Sequence, residues 1–468
     1  MRKTAALLAA TALVAATTAC SGGAEEDGTV RTLRIGTTTF LGGSDSYYRQ
    51  QFAELYEFAH PNVRIEFVSS AERSDIVLGD KAPADPVAAM KEMMAGPNPP
   101  DLVMVDFDQL PGLIEDNLLV SLDAKIKQDK FDLEGIVPTV KDGIRELGDG
   151  SLYALAPYFD APALFYNKRI FQKAGVEAPT DGMTWDRVVE LARKVSSGDG
   201  KERIYGLGLS PYAETDDFYN LMSVYGAPLQ LRAWNESEDK MNVATPEWEQ
   251  AWTWLADLKK EKIVPPESAN EDWFEAEVAA SPATPNAFFS GRLAMTVGDS
   301  YMLDELAGLG RGGDGNAAPI EWDVVSMPSH PKYPGVAGMV RTEGLMGINV
   351  HAGNPDDAWE FLKFVNDDEW AMTKSRGGGM LVARGAYNKG RGGLDYRAEA
   401  FADVRPAPPD PNRAGGKSYL NEVLEAGRTE LQPALRGDKT IKEALEEWGK
   451  QGQAILDLNK AKQQDGNS

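Results

Sequence analysis

Residues Leu152–Ala192 read LYALAPYFDAPALFYNKRIFQKAGVEAPTDGMTWDRVVELA, and this stretch decides the fold. Just ahead of it, Asp149-Gly150 is a tight-turn pair leading into Leu152–Leu155. Ala163–Tyr166 is a short apolar run of strand length. Trp185–Val195 puts Val188, Leu191, Ala192 and Val195 on one helical face. A chain that alternates strand and helix periods over so short a span is α/β.

The same alternation extends upstream. Leu33–Thr38 predicts a first strand. Asp45–Ala59 predicts a helix with Phe52, Leu55, Tyr56 and Ala59 on one face, stopped by His60-Pro61. Val63–Val68 predicts a second strand, Asp85–Ala95 a helix closed by Gly96-Pro97, and Asp101–Val105 (DLVMV) a third. The third is almost wholly apolar, as a strand buried in a parallel sheet must be. Downstream, Ile204–Leu209, Leu293–Val297 and Trp322–Val325 predict strands. Trp248, Trp252 and Leu255 fall at helical spacing, Pro355–Val365 predicts a strong helix, and 418–458 is mostly helical. Gly308–Gly315 is a glycine-rich loop and Arg405–Pro411 a proline-rich connection.

The opening stretch also resembles the family of extracellular sugar-binding proteins that includes maltose-binding protein. Tyr153–Pro157, Tyr166-Asn167-Lys168, Phe171, Lys173-Ala174-Gly175 and Thr184-Trp185-Asp186 match its motifs in order. Phe288–Met295 (FFSGRLAM), Asn354–Val365 (NPDDAWEFLKFV) and Ile441–Leu445 (IKEAL) continue the match. The resemblance implies a two-lobed periplasmic-binding-protein-like α/β fold with hinge crossovers. Lobe 1 would be residues 32–157 plus 341–369, and lobe 2 residues 158–332 plus 375–460. The chain would cross near Pro157–Ala161, then again at 333–340 and 370–374. The implied function is the solute-binding component of an ABC importer: a carbohydrate, from mono- to oligosaccharide, is captured in the inter-lobe cleft and handed to a membrane permease.

A sugar offers CH faces and a ring of hydroxyls, so its site needs aromatic rings together with carboxylates or guanidinium groups, placed at strand ends. Phe40 follows the first strand; Asp106, Phe107 and Asp108 follow the third. Asp108 serves equally well as a helix cap. The resemblance adds Tyr158 and Asp160 in the hinge, where the family places a ligand-contacting carboxylate. It adds Phe218 and Tyr219 near an aromatic contact segment, and Tyr301 where the family has a stacking tryptophan, with Asp299 as a neighbouring hydroxyl acceptor. Met339, Arg341 and Arg376 are candidates by position near the crossings. Trp234, Trp273 and Trp322 are possible platforms that core packing explains as well.

The N-terminus reads as an export signal: Arg2 and Lys3, then the short apolar run Leu7–Val14, then Thr17-Thr18-Ala19-Cys20. Cys20, the only cysteine, sits at the cleavage point as in a lipobox, although Thr17 stands where that pattern usually has leucine. Residues 1–20 are thus expected as a lipoprotein signal and 21–31 as a flexible tether. Each acyl methylene buried in a bilayer contributes roughly 0.8 kcal/mol, so an anchor of several chains holds an extracytoplasmic protein at the membrane. With Cys20 acylated the mature chain is expected to have no free thiol, hence no disulfide, no thiolate nucleophile and no cysteine-based metal site. The net charge of −24 disfavours nucleic acid and anionic lipid as partners. A monomer is expected.

Enzyme signatures are weak. His60, His330 and His351 are far apart and show no metal-ligand spacing; no G-x-S-x-G elbow and no Walker A loop occurs. Gly308, Gly310 and Gly313 follow a helical pattern rather than a strand, so they fail the context of a dinucleotide site. No cofactor, metal or catalysis is expected. The alternatives are a lipid-anchored glycoside hydrolase using two of the 72 acidic residues, a binding protein for a non-sugar polar solute, and a calcium-binding or adhesion protein, for which no calcium loop is present.

Overall fold

The computed structural model describes residues 30–39, 41, 44–70, 86–211, 217–266, 286, 288–309, 320–412, 414 and 417–466. Cys20 with its signal, Phe40, Trp273 and most of the glycine-rich loop lie outside the described residues.

Twelve strands occur among the described residues. The first seven are β1 (Arg31–Thr37), β2 (Val63–Ser69), β3 (Leu102–Met104), β4 (Tyr158–Asp160), β5 (Ala163–Asn167), β6 (Met295–Gly298) and β7 (Trp322–Ser326). The remainder are β8 (Val336–Ala337), β9 (Arg341–Glu343), β10 (Met346–Ile348), β11 (Leu381–Val382) and β12 (Arg405–Pro406).

One sheet has the order β10-β3-β1-β2, with β1 parallel to both β2 and β3 and β10 antiparallel at its edge. Its central strand β3 is buried throughout, while β2 alternates, with Val63, Ile65 and Phe67 inward. A second sheet has the order β6-β5-β7, all antiparallel pairs. A third, β11-β4-β9, lies between them in the chain path: β4 leads straight into β5 of the second sheet, and β9 leads straight into β10 of the first. The chain therefore passes between the two main sheets through strands that pair with each other, and the two-lobed α/β architecture follows from that topology. Gly344, between β9 and β10, makes the turn possible. Its φ is +71°, and a Cβ there would lie 2.7 Å from the Phe52 ring.

The opening motif has a local cause. Asn167 ends β5 and caps the helix Lys168–Ala174, accepting from the backbone N–H groups of Arg169 and Ile170; Gly175 closes that helix in the left-handed conformation. Thr184 caps Trp185–Val195 through the Arg187 N–H, and the helix buries Trp185, Val188, Leu191, Ala192 and Val195. Two expectations change. Ile204–Leu209 makes only isolated pairings, Ile204 with Ser197, Tyr205 with Leu293 and Gly208 with Thr296; Gly206 and Gly208 interrupt it. Residues 370–374, expected as an extended crossing, end the helix Asp368–Lys374, which Asp367 caps through the Trp370 N–H and Trp370 anchors in the core.

Candidate functional site

Asp160, the last residue of β4, pairs in register with Arg341, the first of β9. The Asp160 carboxylate is wholly buried. Its Oδ1 accepts the Ser300 N–H at 3.0 Å and its Oδ2 accepts from Arg341 Nη2 at 2.5 Å. The same Nη2 lies 3.3 Å from Asp299 Oδ2, while Asp299 Oδ1 accepts the N–H of Tyr301, the first residue of the helix Tyr301–Leu309. One guanidinium nitrogen thus joins the hinge sheet to the loop after β6. Burial, and then the charge of Asp160, push the Asp299 carboxyl above its ordinary range, with Arg341 offsetting part of the rise.

Around this triad stand aromatic rings. Tyr301 is 44% exposed, and its ring lies against Gly379. Gly379 has φ +93°, its N–H donates to Asp304 Oδ2 at 2.6 Å, and its carbonyl accepts from Ser300 Oγ and from Arg391. Arg391 closes this brace by donating to Asp304. Tyr47 is half exposed and donates its hydroxyl to Glu343 Oε1 at 2.5 Å; burial, that bond and the nearby Glu343 and Tyr301 raise its phenol well above its ordinary value. Glu343 is two residues beyond Arg341 in β9, so both side chains leave the same face of the strand. Tyr158 packs edge-on to Trp370 and Phe52 and donates to Gln51 Oε1.

Of the residues expected from sequence, the structure gathers Asp160, Asp299, Tyr301 and Arg341 into one cluster, with Tyr158 two residues before Asp160 in β4. Asp106 is exposed at the end of β3, and its N–H donates to Gln109 Oε1, which Thr38 also contacts. Gln109, not Asp108, occupies the position before the next helix, Leu110–Glu115. Phe107 lies against Gly143. Tyr219 is exposed and donates to Glu425. Arg376 is exposed, and Met339 is exposed with φ +60°, a left-handed conformation unusual for a side-chain-bearing residue. Phe218 is a correction: it is buried, stacked on Trp252 and edge-on to Trp448, so its ring is core and offers no face to a solute. Trp234 is likewise buried.

Sequence reasoning missed Tyr47, Glu343 and Ser300. Glu343 was findable from the two-residue strand period once Arg341 was chosen. Nothing in the composition around Tyr47 distinguishes it from its neighbour Tyr48, which packs on Phe52 and Phe67.

Chemically, the cluster provides carboxylate acceptors, a fixed guanidinium donor and two accessible aromatic rings, a set that suits a polyhydroxylated ring. Among the described residues no group of His, Cys, Asp and Glu could hold a metal ion, and no helix is long and apolar enough to cross a membrane.

Comparison with known proteins gives a consistent picture. The family described as bacterial extracellular solute-binding protein matches residues 42–372. The sn-glycerol-3-phosphate-binding periplasmic protein UgpB of Agrobacterium fabrum is 24% identical over 327 residues, covering 66% of this chain and 68% of that one. A binding protein of Brucella abortus is 23% identical over 253 residues, 53% of this chain; the match spans about half (54%) of that relative's length. Among solved structures, a sugar transporter of Rhizobium etli in an open conformation superposes with a TM-score of 0.60 at 20% identity, over 91% of this chain and 99% of that one.

Proposed function

The chain belongs to the bacterial extracellular solute-binding proteins, and from that premise we propose that it captures a carbohydrate in the crevice beside the hinge sheet and delivers it to the permease of an ABC importer. The observation that carries the reading is the Asp160–Arg341–Asp299 triad flanked by the half-exposed rings of Tyr301 and Tyr47. Carboxylates and a guanidinium held in fixed geometry match vicinal hydroxyls, and the rings match CH faces. Similarity to a sugar transporter in fold, and to a protein named for a small phosphorylated polyol in sequence, supports a polar solute of this size.

A hydrolase is disfavoured by the same geometry. Glycoside cleavage needs two carboxyl groups facing each other across the scissile bond. Here Asp160 and Asp299 converge on one guanidinium nitrogen, and Asp160 is sealed from solvent.

Export and acylation at Cys20 complete the proposal and would keep the protein at the outer face of the membrane. Replacing Cys20 by Ala should release the mature protein into the medium; retention of the variant with the membrane fraction would end the anchoring part of the reading.

The deciding experiment is a thermal-shift screen of the purified protein over mono-, di- and oligosaccharides, followed by calorimetry. A bound solute at a hundred times its Kd stabilises by about 2.7 kcal/mol. The expected result is a raised Tm with one saccharide class and an unchanged saccharide afterwards. Cleaved product, or no shift with any saccharide, would overturn the reading.

A further inference from the structure

Charge balance around the crevice decides which polar solutes it can hold. Asp160, Asp299 and Glu343 bring three negative charges to it, and Arg341 brings one positive charge. Its charge is already offset, since Nη2 donates to both Asp160 and Asp299, while the rest of the side chain is open to solvent. Glu343 accepts from the Tyr47 hydroxyl and has no cationic partner among the described residues. Nearby, Asp304 is matched by Arg391. On the segment leading to Gly379, Lys374 donates to the Gln50 carbonyl beside the Trp370 ring, and Arg376 is exposed. Among the described residues the crevice is therefore short of positive charge, and the half-exposed rings of Tyr47 and Tyr301 stand beside this excess of carboxylates.

An incoming anion would meet this excess directly. Even against the open edge of Arg341 it would lie close to the Asp160 and Asp299 carboxylates that already offset that cation. A protonated amine meets the opposite conditions: two carboxylates to pair with and two aromatic faces that attract a cation. Resting on the carbohydrate reading above, we infer that the crevice selects by charge, favouring an amine-bearing sugar over its neutral counterpart and rejecting phosphorylated polyols. Asp299 and Glu343 set that order. Discrimination of this kind works by repulsion as much as by attraction, and it separates this chain from its relative named for sn-glycerol 3-phosphate.

The test uses matched probes on the whole protein by calorimetry: glucosamine, glucose and glucose 6-phosphate; the β-1,4-linked glucosamine disaccharide and cellobiose; and sn-glycerol 3-phosphate. The amine form is expected to bind about tenfold or more tightly than its neutral partner, with no binding of either phosphate ester. Raising NaCl from about 50 to about 500 mM should shrink the amine's advantage, because screening weakens only the charged contribution. Glu343→Gln and Asp299→Asn should each lower the amine-to-neutral affinity ratio by about threefold or more, with folding checked by thermal melts and the salt series standing as the readout for any variant that does not fold. Binding of a neutral sugar as tightly as its amine form, or binding of a phosphate ester, overturns the charge inference and leaves the carbohydrate reading intact. Absence of binding by every saccharide removes both.

Discussion

Tyr301 is the residue on which solute affinity should depend most visibly. It is the first residue of its helix, its backbone N–H is fixed by Asp299, and its ring is braced against Gly379 yet 44% exposed. Tyr301→Ala is expected to weaken saccharide binding by roughly 1–3 kcal/mol, measured by calorimetry; unchanged affinity would remove the ring from the site. Asp299 makes a pH prediction. Its folded carboxyl is raised above the ordinary range by burial and by Asp160, so the folded state binds that proton more tightly than the unfolded chain does. Its unfavourable contribution is absent below the unfolded pKa of about 3.9 and appears as pH rises through the folded value. Asp299→Asn, which imitates the protonated form, should therefore gain Tm relative to the parent at pH 7 and show little difference near pH 4. Much of this cluster was readable in advance. Asp160, Asp299 and Tyr301 follow from matched motifs, and Arg341 from its position. Tyr47 was not, because its role depends on Glu343, a partner 296 positions away.

Elements built from local signals were the legible ones. Asn167 and Gly175 bracket one helix, Thr184 starts the next, and the spacing of Val188, Leu191 and Ala192 tells which face is buried. What local pattern could not reveal is competition between packing partners. Phe218 and Tyr219 are adjacent aromatics on the short helix Asp217–Asn220; the first packs between Trp252 and Trp448 and the second reaches out to Glu425. Phe218→Ala should cost about 3–5 kcal/mol in denaturant unfolding, the range for a large buried aromatic, with saccharide affinity unaltered under native conditions. A loss of affinity without loss of stability would restore it to the site. The segment 370–374 misled for a related reason: an Asp cap and a buried tryptophan make it helical, and the strand that joins the hinge sheet, β11, comes after it.

For the molecule as a whole, sequence periodicity established alternating strands and helices but not the order in which the chain returns between sheets. That order came from resemblance, because pairings such as β10 with β3 or β9 with β4 join residues far apart in sequence and leave no local trace. The topology makes an open and a closed arrangement of the two halves the natural means of enclosing a solute, with ligand shifting the population toward closure. Small-angle scattering should record a smaller radius of gyration on adding a saccharide that raises Tm; an unchanged curve at saturation would exclude closure.

Asp160 and Arg341, which anchor the proposed solute site, are themselves members of β4 and β9, strands that carry the chain from one half to the other. In mechanical language, the cargo rests on the axle. Any turn about that axle displaces atoms beside it very little, whereas the far lips of the two halves sweep through a long arc. A docking partner could accordingly sense from those distant lips whether the seat is filled, without reaching in to touch what it holds.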